Sequence, residues 1–242
     1  MRFNKPYCFI KLKMKRVSDV LPSSSRRKKY VVWLDYDYGL NEEILSDIRS
    51  CIHILALGSI LIVTVDATPR LSEDGEYDEL SEEGRRKILL QEIRSNLSSY
   101  YPDEINRRVL SRNACPSFLA KVLFTYFHQE VSNRGGLGFM QLINYKYADG
   151  AMMLSYGGMI ANKKFEEQVN KSKVYDLDFV RNDPEPTTIS VPPLTVKEKK
   201  CLESRLNRIA TVEKLQFELD EEMLTSFKKF YRYYPTYHET LL

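Results

Sequence analysis

One stretch, Tyr30 to Ala67, constrains the fold more than any other. Tyr30-Val-Val-Trp-Leu-Asp35 is short, apolar and β-branched and ends in an acid, so it reads as a strand buried on both faces. Asn41 is a good N-cap, with Glu42 and Glu43 in the first turn that follows, where carboxylates suit the positive helix end. Ile44, Leu45, Ile48, Ile52 and Leu55 recur at helical spacing and Gly58 supplies a stop. Ser59 to Ala67 is a second apolar run of strand length. Strand, helix, strand with short joins is the parallel crossover unit, and it predicts an α/β sheet.

The flanking sequence adds elements to that unit. Tyr7 to Lys13 alternates, with Cys8, Ile10 and Leu12 on one side, which predicts a strand. Pro22-Ser-Ser-Ser25 then breaks the chain. Ser72 to Glu83 holds seven acids and no base and predicts an exposed loop. Helical tracts are predicted from Glu82 to Leu97, from Asp103 to Ser111, and from Pro116, at a first helical position, to Val131. Phe139–Tyr147 and Ala151–Ile160 are strand-like and flank Asp149-Gly150, a strong hairpin signal. The sheet therefore gains an antiparallel pair after its parallel part. Tyr175 to Val180 reads as one more strand. Asp183 to Pro193 carries four prolines and reads as an extended linker. Thr195-Val-Lys-Glu198 is a capping box, and Glu221 to Tyr231 a terminal helix before an aromatic tail. The predicted organisation is an α/β domain over 1–182, a Pro-rich linker over 183–194 and a helical extension over 195–242.

Composition narrows the function classes. Hydrophobic residues at 43% and charged residues at 29% describe a chain able to bury a core. The longest apolar stretch, Ile60 to Val65, is far short of the roughly 18 residues that span a bilayer. With no signal-peptide block, the expectation is a cytoplasmic protein. The four cysteines and three histidines are scattered without metal-ligand spacing, so reduced thiols and no metal site are expected. Residues 1–30 carry ten Lys/Arg against Asp19 alone, a local charge of +9 in a chain of net charge +3. Such segregation suits nucleic acid or an acidic partner, or simply a solvated basic face.

In an open α/β sheet, ligands bind beyond the carboxyl ends of the parallel strands. Acids stand there: Asp35 and Asp37 after the first strand, Asp66 after the second. Carboxylates so placed can accept from ribose or amine hydrogens, hold a cation or act as a general base, or can merely form turns. Ser18-Asp19 either touches a nucleotide base or starts a helix. Gly135-Gly-Leu-Gly138 follows a helix and precedes a hairpin, which suits a hinge or flap better than a phosphate cradle.

Val31-Val-Trp-Leu-Asp-Tyr-Asp37 and Gly58-Ser-Ile-Leu-Ile-Val-Thr-Val65 resemble a bacterial group of O-methyltransferases with a Rossmann-like, S-adenosylmethionine-dependent fold. Also similar are Arg2–Tyr7, the run Gln141 to Gly158, Pro193–Glu198 and Tyr231–Pro235, so the resemblance covers nearly the whole chain. It implies that Tyr7–Lys13, Val31–Asp35 and Ile60–Val65 are the third, fourth and fifth strands of the methyltransferase sheet, with the hairpin as its closing antiparallel pair. It places Ser18 and Asp19 near the adenine, and Asp35 and Asp37 where methyl donor meets acceptor. Asp66 joins Ser18 and Asp19 as a candidate cofactor contact.

The first two family strands, with the glycine-rich cofactor loop, would precede Arg2, and here Met1 precedes it. The resemblance therefore implies a partial Rossmann-like sheet with an unpaired edge. It further implies weak or absent S-adenosylmethionine binding by this chain alone, and a protein partner or self-association that covers the sheet. Two functions follow as expectations: O-methyl transfer, or a non-catalytic methyltransferase-like subunit of a protein complex with possible nucleic-acid contacts through the basic N-terminus.

Overall fold

The computed structural model describes residues 7–20, 27–71, 80–97, 100, 107–206, 212 and 215–234. A single helical turn, α1 (Val17–Val20), precedes the crossover unit. That unit forms as the periodicity predicts: β1 (Val31–Gly39), α2 (Glu42–Ile54) and β2 (Ile60–Asp66). β1 and β2 are parallel, in register from Val31 opposite Ile60 to Asp35 opposite Thr64. Past Asp35, β1 carries two extra residues, so Gly39 is opposite Asp66. The Asn41 side chain caps α2 by accepting from Ile44 N at 3.0 Å.

Next come α3 (Glu82–Leu97) and α4 (Cys115–Ser132), with a 3-10 turn over Arg107–Leu110 between them. Asp103 to Asn106 of the predicted tract, and 72–79 of the acidic stretch, lie outside the described residues. The hairpin is β3 (Gly138–Asp149) and β4 (Ala151–Ala161), turning at Gly150 with φ 76°, a backbone state glycine adopts without strain. α5 (Lys163–Lys171), β5 (Thr187–Ile189), α6 (Val196–Ser204) and α7 (Glu221–Phe230) complete the elements. Thr195 and Glu198 form the predicted capping box.

The strand order is β1-β2-β4-β3-β5, with β4 antiparallel to both β2 and β3. A bulge at Leu142 puts Gln141 opposite Gly158 and Ile143 opposite Gly157. Register assigns the two faces of the sheet. Leu34, Leu61, Val63, Leu154 and Tyr156 share one face and form the main core with Ile44, Ile48 and Ile52 of α2 and Leu119, Leu123 and Phe127 of α4. On the other face, Met140, Met159 and Ala161 pack against Phe165 and Val169 of α5. The chain divides into two compact units, Met1–Thr187 and Thr188–Leu242. The second has its own core of Leu202, Leu224 and Phe227.

Four sequence expectations are corrected. Tyr7–Lys13 is not a strand but an exposed turn and extended segment, with Ile10 N donating to Tyr7 O. Alternation alone makes no strand without a neighbour to pair with, and Cys8, Phe9 and Leu12 are exposed. β1 is not buried on both faces: Leu34 packs in the core with α2 and α4, while Val31 and Trp33 lie on the opposite face and are exposed. Tyr175–Val180 forms a 3-10 turn and bends rather than a strand. The Pro-rich stretch is not wholly a linker, since Thr187–Ile189 is β5. Gln141 and Asn144 of β3 hold the segment that leads into it, donating from their amides to the Arg181, Asp183 and Pro184 carbonyls.

Candidate active site

A cleft of about 460 Å³ opens beyond the carboxyl ends of β1 and β2, where the crossover topology leaves a crevice. Asp37, Tyr38 and Gly39 at the end of β1 form one wall. Asp66 with Thr68-Pro-Arg70 forms a second. α3 contributes Leu89, Glu92, Ile93 and Asn96, and α4 contributes Cys115 and Leu119. The strands thus supply carboxylates and the helices supply a mostly apolar cover.

The two acids in the cleft are in different states. Asp66 is buried and fully engaged: it accepts from Thr68 N at 2.7 Å and forms an ion pair with Arg70. Asp37 is exposed and makes no hydrogen bond or ion pair with a described residue. It is therefore the carboxylate that a ligand could reach without displacing a protein partner. Next to Asp66, burial pushes the Cys115 thiol up to about 12, with the Asp66 charge adding to the rise. Cys115 is thus a neutral, apolar part of the wall at ordinary pH.

The other predicted residues are elsewhere. Asp35 lies opposite Thr64 in register, on the exposed face of β1 and outside the cleft. Ser18 and Asp19 are exposed on α1, and Asp19 lines a separate open surface with Lys13, Met14, Lys15 and Arg16. The structure therefore brings together Asp37 and Asp66 but not Asp35, Ser18 or Asp19. Arg70, Glu92 and Asn96 were missed. Arg70 had a legible signal, four residues beyond an acid that ends a strand, whereas Glu92 and Asn96 sit in a helix whose approach to the cleft is a tertiary matter.

The described strand-to-helix turns carry no glycine cradle of the kind that admits a phosphate. Between β1 and α2, a Cβ on Gly39 would meet nothing closer than Asp66 O at 3.9 Å, so that turn encodes no close backbone approach. Among the described residues the glycines with positive φ are Gly58, Gly135, Gly136 and Gly150, none of them in a strand-to-helix turn. Among the described residues no group of His, Cys, Asp and Glu is placed to hold a metal ion. No described helix is long and apolar enough to cross a membrane.

No curated protein matches the sequence. A protein family does match it, over residues 1–242. With that match across its whole length, and with a mixed α/β sheet consistent with a methyltransferase-like fold, the chain belongs to the family described as "Putative O-methyltransferase".

Proposed function

We propose that the cleft beyond β1 and β2 holds the hydroxyl acceptor of an S-adenosylmethionine-dependent O-methyl transfer. The observation that carries this reading is the contrast between its two acids: Asp66 is committed to Thr68 and Arg70, and Asp37 stands exposed in the neighbouring wall of the same cleft. An acceptor hydroxyl donating to Asp37 gains electron density on oxygen, and the carboxylate is placed to take its proton. Leu89, Ile93 and Leu119 give the acceptor's carbon frame an apolar bed. The donor supplies the electrophilic methyl group when bound.

The test is methyl transfer from labelled S-adenosylmethionine to a panel of small hydroxyl compounds, with Asp37→Asn and Asp35→Asn beside the wild type. The expected result is a fall in kcat of about a hundredfold or more for Asp37→Asn, the scale of a lost general base. Asp35→Asn retains turnover, since Asp35 lies outside the cleft. Full turnover by Asp37→Asn would overturn the assignment.

A further inference from the structure

We infer that the outer edge of β1 pairs antiparallel with the same edge of a second copy of this chain, with Trp33 on the two-fold axis. Asp37 belongs both to the acceptor cleft and to this edge, and the dimer is read by molar mass rather than by turnover. β1 ends the sheet. Tyr30 O accepts from Ile60 N, so the even-numbered residues direct their backbone groups toward β2. Val31, Trp33 and Asp35 direct theirs outward, and none of the three bonds to a described residue across that edge. A row of open N–H and C=O groups is a template for another strand.

The side chains leave that row accessible and apolar. Val31 is 71% exposed and Trp33 61%. The indole N–H of Trp33 donates to Thr64 Oγ1 at 2.9 Å, which draws the ring back over β2 and away from the edge. β1 holds no proline or lysine, residues that commonly blunt an edge. It stays extended to Gly39, past the point where it leaves register with β2.

Charge selects the occupant, and cross-linking at positions 31 and 33 separates the register centred on Trp33 from the one centred on Val32, which pairs Lys29 with Asp35. Lys29 precedes the strand and Asp37 lies near its end, four residues to either side of Trp33. With Trp33 opposite itself, Val31 faces Asp35 and Lys29 faces Asp37, twice by symmetry. All of these are odd-numbered positions of one parity, as hydrogen-bonded antiparallel pairs require. The Lys29 ammonium lies over the Phe165 ring at 5.0 Å, a contact weak enough at an exposed site to be exchanged for a carboxylate. Moving the axis to Asp35 sets two carboxylates against each other, and moving it to Leu34 sets Lys29 opposite Gly39. Opposite charges across a strand pair stabilise it and like charges do the reverse. A second copy therefore supplies the complement that this edge asks for.

The test is the molar mass of the whole chain by sedimentation equilibrium up to about 100 µM, for wild type and two charge reversals. The expected result is a wild-type dimer, with Lys29→Glu and Asp37→Lys each weakening it by tenfold or more. Mixing the two variants restores a dimer. At one end of the paired strands the two reversed charges then face each other as opposites, and at the other end the native Lys29–Asp37 pair is kept. In a Cys8→Ser background, Trp33→Cys forms an intermolecular disulfide on oxidation. Val31→Cys does not, since two residues from the axis on each strand separate its copies by about 13 Å. A monomeric wild type, reversals that dimerise like wild type, or a mixture that stays monomeric would each overturn the proposal. Equal cross-linking at positions 31 and 33 would do so too, and it remains readable if a charge variant fails to fold.

Discussion

Asp66→Asn and Asp66→Ala, set beside Arg70→Ala, separate two roles for the acid that ends β2. As a loop anchor, Asp66 uses one oxygen for Thr68 N at 2.7 Å and the other for Arg70, with its side chain 2% exposed and that of Arg70 55% exposed. Hydrogen bonds to charged groups contribute about 1.5–3 kcal/mol, and truncating the acceptor leaves the Thr68 N–H without its partner. Asp66→Ala is therefore expected to destabilise the unit by about 2–3 kcal/mol. The asparagine keeps a carbonyl for Thr68 but turns an N–H₂ toward a guanidinium, so about 1–2 kcal/mol is expected. Arg70 is half in water, which screens its share, and Arg70→Ala is expected to remove about 1 kcal/mol. The double variant then shows coupling of about 1 kcal/mol. Urea unfolding followed by Trp33 measures this, because Trp33 is the chain's one tryptophan and is tied to Thr64 on the same strand as Asp66. Wild-type stability in both Asp66 variants, with loss of ligand binding alone, would refute the anchoring role and return Asp66 to the cofactor contacts.

Three further outcomes are expected. Gly158→Ala drives a Cβ into the Met140 carbonyl and within 2.8 Å of the Phe139 ring, so it destabilises by about 3 kcal/mol. Gly150→Ala meets no atom within 4 Å and carries only the strain of positive φ, about 1 kcal/mol; equal urea midpoints for these two variants would contradict the close approach at the bulge. Asn41→Ala removes the bond to Ile44 N and lowers stability by about 1 kcal/mol in the same assay, and an unchanged midpoint would remove the cap. Burial, with Asp47 and Asp66 adding respectively, pushes the Cys51 and Cys115 thiols from 9 up to about 12. Both thiols stay neutral in the fold while the unfolded chain ionises. Their contribution is therefore full below pH 9 and is lost as pH rises toward 12, by about 1.4 kcal/mol per pH unit for each thiol. Stability against pH for Cys51→Ala and Cys115→Ala checks this, and an alkaline slope equal to wild type would refute it.

Local signals in the sequence determined the crossover unit, the hairpin and the caps. Asn41, the periodic Ile44, Ile48 and Ile52, Gly150 and the Thr195–Glu198 box each act within a few residues of themselves, so their effect is readable from spacing alone. The acids at the strand ends were also legible, because a strand that runs into a carboxylate at its carboxyl end marks the crevice. Which acid serves was not legible. Asp35 and Asp37 have the same chemistry and the same parity on β1, and only the two-residue slip past Asp35 carries Asp37 into the wall beside Asp66.

Tertiary structure decided the rest. Tyr7–Lys13 has a strand's alternation and no strand to join, and Tyr30–Asp35 has a buried strand's composition and an edge strand's position. Composition reports what a segment can tolerate, whereas pairing depends on which neighbour arrives across tens of residues of sequence. The same holds for the cleft: Arg70 neutralises Asp66 locally, but the cover from Glu92, Asn96 and Cys115 exists only because α3 and α4 pack where β1 and β2 end. Local geometry is set by hydrogen bonds and torsions that neighbouring residues share. The site is set by burial, which is a property of the whole packed unit.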